Sequence, residues 1–549
     1  ADGASVTLTL QDATNVASGV NAQAVVRVFT GNSPDSGTQV ILGGGPTGPT
    51  VFPLPEDDPA HDVDLAALRA ADVSLWVEGL EFAGEVKLEM EVNDGTGSTC
   101  SDQIQLKVAP LILLGHLNSA RQSFVSQITT WEAAESAEYC TQRFPNATPP
   151  GVSDTIIADP DNGGDDPWAQ DEFQIGYQES PQKAMYVVLD SKRDRGLEPF
   201  PVTLLGPDFG HIQINDGNRP NTRDAFGNLE VSPPCTVDDV SYPLGRIYYG
   251  YNPASSLPAP CAGPIDGQLR AFLERQALQA PVALDTDWLS VGHVDEFMSI
   301  VPNSVATHGW SVVLASPSLA VDALQGDALT PGGVESTWSI PRYWAYSVGT
   351  VEELLSRSLD APVSGTELDT IVEYNSDDTS PLIATLASIT QVLATEFGLE
   401  ASGDIVEVPV LFNRIAERGV DCDPSAPPPP VDLYFATAIT PNLANGAFYG
   451  AVYIAPDNFL HVTDSTLAEE DTNGNFQRDP GEPERNANTV FDSHRDPFHA
   501  YLEANVPGGL SVIYVDDWLV YHLMDGEVHC SSNEVRTIPL DVHWWNTVP

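Results

Sequence analysis

Four short runs of this chain hold the residue types that acid–base and thiol chemistry require. In Trp288-Leu289-Ser290-Val291-Gly292-His293-Val294-Asp295-Glu296, His293 and Asp295 stand two apart. On an extended strand that spacing puts an imidazole and a carboxylate on one face, with Gly292 permitting close backbone approach. Cys530 follows a glycine turn in Asp525-Gly526-Glu527-Val528-His529-Cys530, near the end of the chain. Trp168-Ala169-Gln170-Asp171-Glu172-Phe173-Gln174 sets two adjacent carboxylates between amides, and Asp190-Ser191-Lys192-Arg193-Asp194-Arg195 mixes both signs of charge before Gly206-Pro207-Asp208-Phe209-Gly210. A thiol, a histidine and carboxylates from distant segments are the parts of thiolate catalysis. Two carboxylates facing one pocket also match the forked donors of a planar guanidinium. Singly, each has a plainer reading: a His-x-Asp pair is commonly structural, a lone Cys inert, and an acidic run a solvated face.

These residues need elements to position them. Residues 1–109 read as β: Val6–Leu10, Ala24–Phe29, Val73–Val77, Val86–Val92 and Ile104–Val108 alternate or run apolar at strand length, with Gly/Pro/Asn/Asp clusters between. Short strands with such turns predict an antiparallel β-sandwich ending at Ala109-Pro110. From 110 onward strands mix with helical spacing at 119–137, 267–280 and 381–397. In the last of these Leu382, Ile383, Leu386, Ile389, Val392 and Leu393 form an apolar stripe that reads as core. That mixture predicts an α/β or α+β body over 110–549. Asp423–Pro430, with four consecutive prolines, reads as a stiff surface loop.

The chain has 549 residues, 23 Lys+Arg against 78 Asp+Glu, and a formal net charge of −55. Such a charge repels nucleic acid and anionic membrane, so neither is expected as a partner. It does not imply disorder, because the chain is 42% hydrophobic and only 18% charged. The acidity suits salty surroundings, calcium binding or a cationic substrate. No run approaches the roughly 18 apolar residues that span a bilayer, so a soluble protein is expected. Ala1-Asp2-Gly3-Ala4 has no leader-like character, as at a mature terminus, and a secreted or extracellular protein is the expectation, with a cytoplasmic one open. Cys100, Cys140, Cys235, Cys261, Cys422 and Cys530 show no zinc spacing. Cys235 and Cys261 close the tightest plausible disulfide loop, and buried free thiols are the alternative.

The four runs, in their order, resemble the protein-arginine deiminases. The likeness extends from Leu75-Trp76-Val77-Glu78-Gly79-Leu80 through Leu106–Pro110 and Phe226-Gly227-Asn228-Leu229-Glu230-Val231-Ser232-Pro233-Pro234 to Trp544-Trp545-Asn546-Thr547-Val548-Pro549. The resemblance implies an immunoglobulin-like β-sandwich over 1–109 and, over 110–549, a five-module α/β propeller of the guanidine-modifying enzymes. It implies conversion of peptidyl-arginine to peptidyl-citrulline, with arginine-containing peptides or proteins as partners. Cys530 then corresponds to the nucleophile and His293 to the general acid and base. Asp171 and Asp295 match the carboxylates that grip the guanidinium. Trp168 matches a residue packing along the substrate's aliphatic arm, and Arg195 one that contacts its backbone.

The resemblance also implies calcium (Ca2+). One site would use Gln170, Gln174, the carbonyls of Phe226 and Leu229, and Glu230; the other Glu172, Asp190, the Ser191 carbonyl and Asp194. Two positions depart from the family: Gln174 stands where Glu is usual, and Asp194 where Asn is usual. The acidic cluster Asp159, Asp161, Asp165 and Asp166 either holds a further ion or is solvated. Outside the family pattern, Asp471, Asn473, Asn475, Asp479 and Glu482 fall at positions 1, 3, 5, 9 and 12 of an EF-hand-type loop. Phe476 takes the place of its turn-making glycine, and a plain acidic insertion is the other reading. Two further functions fit the residues: a deiminase of free arginine or another small guanidine, and a catalytically silent calcium-binding scaffold. The oligomeric state is open.

Overall fold

The computed structural model divides the chain into two compact units, one of Ala1–Leu111 with Gln178–Lys183 and one of Ile112–Tyr177 with Ala184–Pro549. The structure describes residues 4–8, 23–30, 60–63, 73–77, 82, 85–93 and 99–111 of the first unit's main segment. Beyond residue 111 it describes the chain to 547, apart from 159–164, 254–264, 326–337, 340–350, 417–433, 463–495 and a few shorter stretches. Asp194, Cys261, the Pro427–Pro430 loop and the 471–482 loop therefore lie outside the described residues. Among the described residues no helix is long and apolar enough to cross a membrane.

The first unit is all strand where it is described. Ala4–Leu8 pairs antiparallel with Val73–Val77. Gln23–Thr30 lies between Ala60–Val63 and Glu85–Asn93, and the last of these pairs on with Thr99–Lys107, every ladder antiparallel. The β character read from residues 1–109 is thus present, with ends that differ by a few residues.

The second unit repeats one pattern five times. Besides three two-stranded sheets, its described residues form five that contain Ser532–Arg536, Ala120–Ser126 and Ser153–Ile157; Phe173–Ser180, Lys183–Asp190 and Phe209–Gln213, with Ile112–Leu113 added; Leu229–Val231, Ile247–Gly250 and Val282–Leu284; Met298–Pro302, Trp310–Ser316 and Ile405–Pro409; and Ala447–Tyr449, Val452–Pro456 and Ser511–Val515. In each, the middle strand runs parallel to the third. In four of them the first strand pairs antiparallel with the middle one. The middle and third strands are joined through helix: Ala133–Glu138, Pro199–Thr203, Gly267–Gln276, Pro497–Asn505 and, in the largest excursion, four helices ending with Pro381–Phe397. A parallel pair requires such a crossover. The strand Ser532–Arg536 comes from the chain's end and pairs with Ala120–Ser126 from the unit's start, so the first sheet joins the two ends of the unit.

Pro381–Phe397 is a helix because proline starts it, apolar residues recur at helical spacing, and Gly398 ends it at φ 67°. Leu382, Leu386, Ile389, Leu393 and Phe397 are its buried face, in the core of the fourth sheet. The stripe read from sequence is core, as expected. The helix expected over 119–137 is not formed as such. Ala120–Ser126 is a strand between Ser532–Arg536 and Ser153–Ile157, and helix begins only at Ala133. Pairing on both edges overrides the weak local helical spacing.

Candidate active site

Each sheet's first strand is entered from a tight turn, and the turns bring the chemistry. They are Val528–Ser531, Ala169–Glu172, Phe226–Asn228, Val294–Glu296 and the bend Asn442–Asn445, which is closed by Asn445 N–H donating to the Asn442 carbonyl at 2.9 Å. Asp171, Gly227, Asp295, Asn445 and Cys530 each come from a different one.

Cys530 is 5% exposed. Its Sγ–H donates to Asp295 Oδ2 at 3.2 Å, and the Asn445 side-chain amide donates to Sγ at 3.0 Å. Burial, followed by the charges of Asp295 and Asp171, pushes the thiol well above its ordinary value. The side chain therefore rests as a thiol. Asn445 also donates to the Asp295 carbonyl at 2.9 Å and accepts from the backbone N–H of His529 at 3.1 Å and of Cys530 at 3.3 Å. One amide thus ties the nucleophile's turn to the turn that carries Asp295.

His293 is not on a strand. Its backbone is extended at φ −101°, ψ 152°, but Val294–Glu296 is a single 3₁₀ turn. The turn gives the juxtaposition that strand alternation was expected to give: His293 Nδ1 lies 4.0 Å from Asp295 Oδ1 and 3.5 Å from Asp171 Oδ1. His293 Nε2 lies 2.7 Å from the Thr222 carbonyl, which fixes the proton on Nε2 and leaves Nδ1 facing the carboxylates. Asp171 accepts from Gly227 N–H at 3.3 Å and meets Arg193 Nη2 at 3.3 Å. A Cβ on Gly227 would sit 2.7 Å from His293 Nδ1, 2.8 Å from Asp171 Oδ1 and 3.0 Å from Asp295 Oδ2, so any larger residue there must displace these groups. A small pocket lined by Glu296, Asn442, Asn445, Asp525 and Glu527 opens on the far side of Asn445, and Cys530 itself does not line it.

Trp168 shares a buried cluster with Cys530, its ring centroid 5.5 Å from that of Tyr521, and it presses on Gly526. Arg195 is exposed. The buried guanidinium is that of Arg193, which holds Asp166 with Nη1 at 2.5 Å. Asp165 accepts from Thr129 N–H at 2.8 Å and Thr130 N–H at 2.6 Å. These two members of the acidic cluster thus make a cap and an ion pair, and Asp159 and Asp161 lie outside the described residues.

The two expected calcium sites differ. Glu172 is fully buried, neither of its carboxylate oxygens has a hydrogen-bond partner, and Asp190 Oδ1 has none either. Burial, opposed by Arg193 and reinforced by Asp190, pushes Glu172 up to about 9. Ser191 N–H donates to the Glu172 carbonyl at 2.9 Å, which brings Ser191 beside them. Unpartnered buried oxygens of this kind fit a hard cation. In the other set Glu230 faces nitrogen. His116 Nε2 lies 2.8 Å from Glu230 Oε2, His529 Nε2 lies 3.5 Å from Oε1, and Gln170 Nε2 donates to Oε1 at 3.1 Å and to the Phe226 carbonyl at 3.4 Å. Gln174 is buried nearby in sequence on Phe173–Ser180, and Leu229 pairs with Tyr249. Two imidazoles on the only carboxylate of the set do not fit an all-oxygen calcium shell. Cys235 is a buried free thiol.

Asn445, Gly227, His116, Arg193 and His529 are the site residues that sequence reading did not assign. Gly227 and His529 lie inside recognised runs, next to assigned residues. Asn445-Gly446 carries only a turn signal, and nothing in sequence aims its amide at the thiol.

The family profile "Protein-arginine deiminase (PAD)" matches residues 98–473 and 499–546 of the chain. The human protein-arginine deiminase type-1 is 30% identical over 495 residues, which cover 87% of this chain and 63% of that protein. The human protein-arginine deiminase type-4 is 31% identical over 547 residues, 95% of this chain and 68% of that protein. The chain thus spans just under two thirds of the length of the type-1 relative. Among solved structures, the C. jejuni agmatine deiminase aligns with 79% of this chain and 99% of its own at 8% identity and a TM-score of 0.38.

Proposed function

The chain belongs to the protein-arginine deiminase family, and we propose that it hydrolyses peptidyl-arginine to peptidyl-citrulline and ammonia through a covalent thiouronium on Cys530. The observation that carries the reading is the meeting of Asp171, His293, Asp295 and Cys530, from three separate turns, each within 4.0 Å of the next. The repeated strand–strand–helix–strand pattern supports reading the second unit as the five-module α/β propeller. The antiparallel strands before it are read as the immunoglobulin-like domain, and the whole as a secreted protein.

In this mechanism the substrate guanidinium lies between Asp171 and Asp295 and takes up the negative charge that now holds the thiol protonated. Cys530 gives its proton to the free Nδ1 of His293, and the thiolate attacks the guanidinium carbon, forming a C–S bond as a C–N π pair moves onto nitrogen. His293, protonated at Nδ1, gives that proton to the nitrogen that leaves as ammonia, and the C–N bond breaks. Nδ1 then takes a proton from water, whose oxygen adds to the thiouronium carbon. The C–S bond breaks, citrulline is freed and the sulfur recovers. Trp168 flanks the aliphatic arm, and Arg195, exposed at the rim, favours a peptide backbone over free arginine. Glu172, Asp190 and the Ser191 carbonyl, with Asp194, would hold calcium. Bound there, the ion supplies the positive charge that lets the two buried carboxylates stay ionised.

Citrulline release from a blocked arginyl peptide, with and without calcium, tests the reading. The native chain should turn over only with calcium, and Cys530→Ala should be silent while still folded. Activity retained by that variant refutes the nucleophile, and turnover unaffected by a chelator removes calcium. Preference for free arginine would remove the role of Arg195.

A further inference from the structure

The Glu230 set that suits calcium poorly has the marks of a different metal site. His116, Glu230 and His529 are 5%, 1% and 3% exposed and come from three segments: the turn after Ile112–Leu113, the strand Leu229–Val231 and the turn Val528–Ser531. His116 Nε2 lies 3.1 Å from His529 Nε2 and 2.8 Å from Glu230 Oε2, and His529 Nε2 lies 3.5 Å from Glu230 Oε1. Tetrahedral ligands bound at about 2.0–2.1 Å to one ion stand roughly 3.3 Å apart, so these separations match such a shell. Calcium instead takes six to eight oxygens at about 2.3–2.6 Å.

Hydrogen bonding alone leaves this cluster unsettled. Glu230 Oε2 is buried with no donor aligned to it, despite its short approach to His116. The two Nε2 atoms and the Glu230 carboxylate instead converge on one point, each offering a ligand-type atom to it. A cation among the three atoms satisfies every lone pair at once. His529 is already oriented for this: its Nδ1 faces Asp295 Oδ2 at 3.0 Å, which turns its Nε2 toward Glu230 and His116. A carboxylate behind a ligating histidine is the usual outer-shell partner. Gln170, at 3.1 Å from Glu230 Oε1, stands close enough to offer its amide oxygen as a fourth ligand after a flip.

We propose that His116, Glu230 and His529 bind a zinc-class divalent cation, at the position where an oxygen-only calcium site is expected from the family. Borderline metals favour imidazole nitrogen over the oxygen shells that calcium selects. The same Asp295 Oδ2 that orients His529 also accepts from Cys530 Sγ, so the ion would brace the carboxylate beside the nucleophile through a positioning residue. The inference stands on these three side chains and does not need the deiminase reading.

The test uses the full chain in a Cys530→Ala background, so that no thiolate competes as ligand, and in excess calcium, which fills oxygen-only sites. Co2+ serves as the optical probe and Zn2+ as the competitor. One equivalent of Co2+ should give the intense visible bands of a tetrahedral nitrogen–oxygen shell, and one equivalent of Zn2+ should erase them. His116→Asn should lose about 100-fold or more in Zn2+ affinity, because it removes a ligand while keeping a polar group of similar reach. Glu230→Gln gives a second reading if the first variant does not fold. The proposal is overturned if the parent shows no tetrahedral Co2+ bands, if calcium displaces Zn2+ mole for mole, or if both variants bind Zn2+ as the parent does.

Discussion

Replacing Gly227 by alanine adds one methyl group at the centre of the proposed site. That carbon would lie 2.7 Å from His293 Nδ1, 2.8 Å from Asp171 Oδ1 and 3.0 Å from Asp295 Oδ2, where ordinary contact begins at 3.4 Å. Each group must retreat by roughly half an ångström, well up the repulsive wall of a pair worth only about 0.1–0.2 kcal/mol at its optimum. All three clashing atoms are the far ends of side chains, so they can pivot without moving backbone. The cost to folding should therefore sit near the low end for overpacking, about 1 kcal/mol. Catalysis has no such slack, since misplacing reacting groups by about 1 Å can cost roughly 100-fold. The expected loss in kcat/KM is about 100-fold, equivalent to about 2.7 kcal/mol of transition-state stabilisation. Citrulline release against peptide concentration reads it, and a thermal melt confirms the fold. Gly267→Ala is the control: nothing lies within 4 Å of its added carbon, at the start of Gly267–Gln276. It should keep full activity. Gly227→Ala with kcat/KM within threefold of the parent would refute the placement of these three groups around the reacting carbon.

Two further outcomes follow from charge. Asp517 is fully buried with both oxygens unpartnered; burial and then Glu527 push it well above the usual carboxylate range, and burial pushes Glu527 up to about 8. Raised carboxyl values mean the native state holds protons that the unfolded chain releases, so their stability is present below about pH 4 and is lost as pH rises through about 8. The melting temperature should fall from about pH 5 to about pH 9 and fall less in Asp517→Asn; equal slopes would contradict the pair's protonation. The net charge of −55 should draw arginine-rich peptides. Their kcat/KM should drop several-fold between about 0.05 and 0.5 M salt while that of a singly charged blocked peptide barely moves, because screening acts on the long-range field; parallel salt curves would remove steering.

The four residues proposed for catalysis were legible because their runs, taken together and in order, resemble one family, whereas each run alone has a plainer reading. The means of bringing them together were not. His293 and Asp295 meet through a 3₁₀ turn rather than strand alternation, since two residues of extended chain and one tight turn can place side chains equally close. The stripe in Pro381–Phe397 was readable because seventeen residues sample the helical period nearly five times, whereas Ala120–Ser126 is too short to separate strand from helix. Asn445 and His116 were beyond reach. Their importance lies in what faces them across the fold, Cys530 for one and Glu230 for the other, and no spacing along the chain encodes that.

The arrangement is short of positive charge in a way that bears on turnover. Around the thiol stand Asp171 and Asp295, both buried, with Arg193 shared between Asp171 and Asp166. On the proposed reaction the thiol, pushed up by burial and by these two carboxylates, stays protonated until a cation enters, so the substrate would carry the charge that activates it. Arginine brings that charge and citrulline does not. Hydrogen bonds from a guanidinium to two carboxylates are charge-assisted, roughly twice as strong as those a neutral ureido group can make. On the proposed reaction the same two side chains that seize the substrate therefore lose most of their hold once citrulline is formed, and the reprotonated thiol donates again to Asp295. Binding, activation of the sulfur and product release then follow from one electrostatic condition, set by where two short turns end.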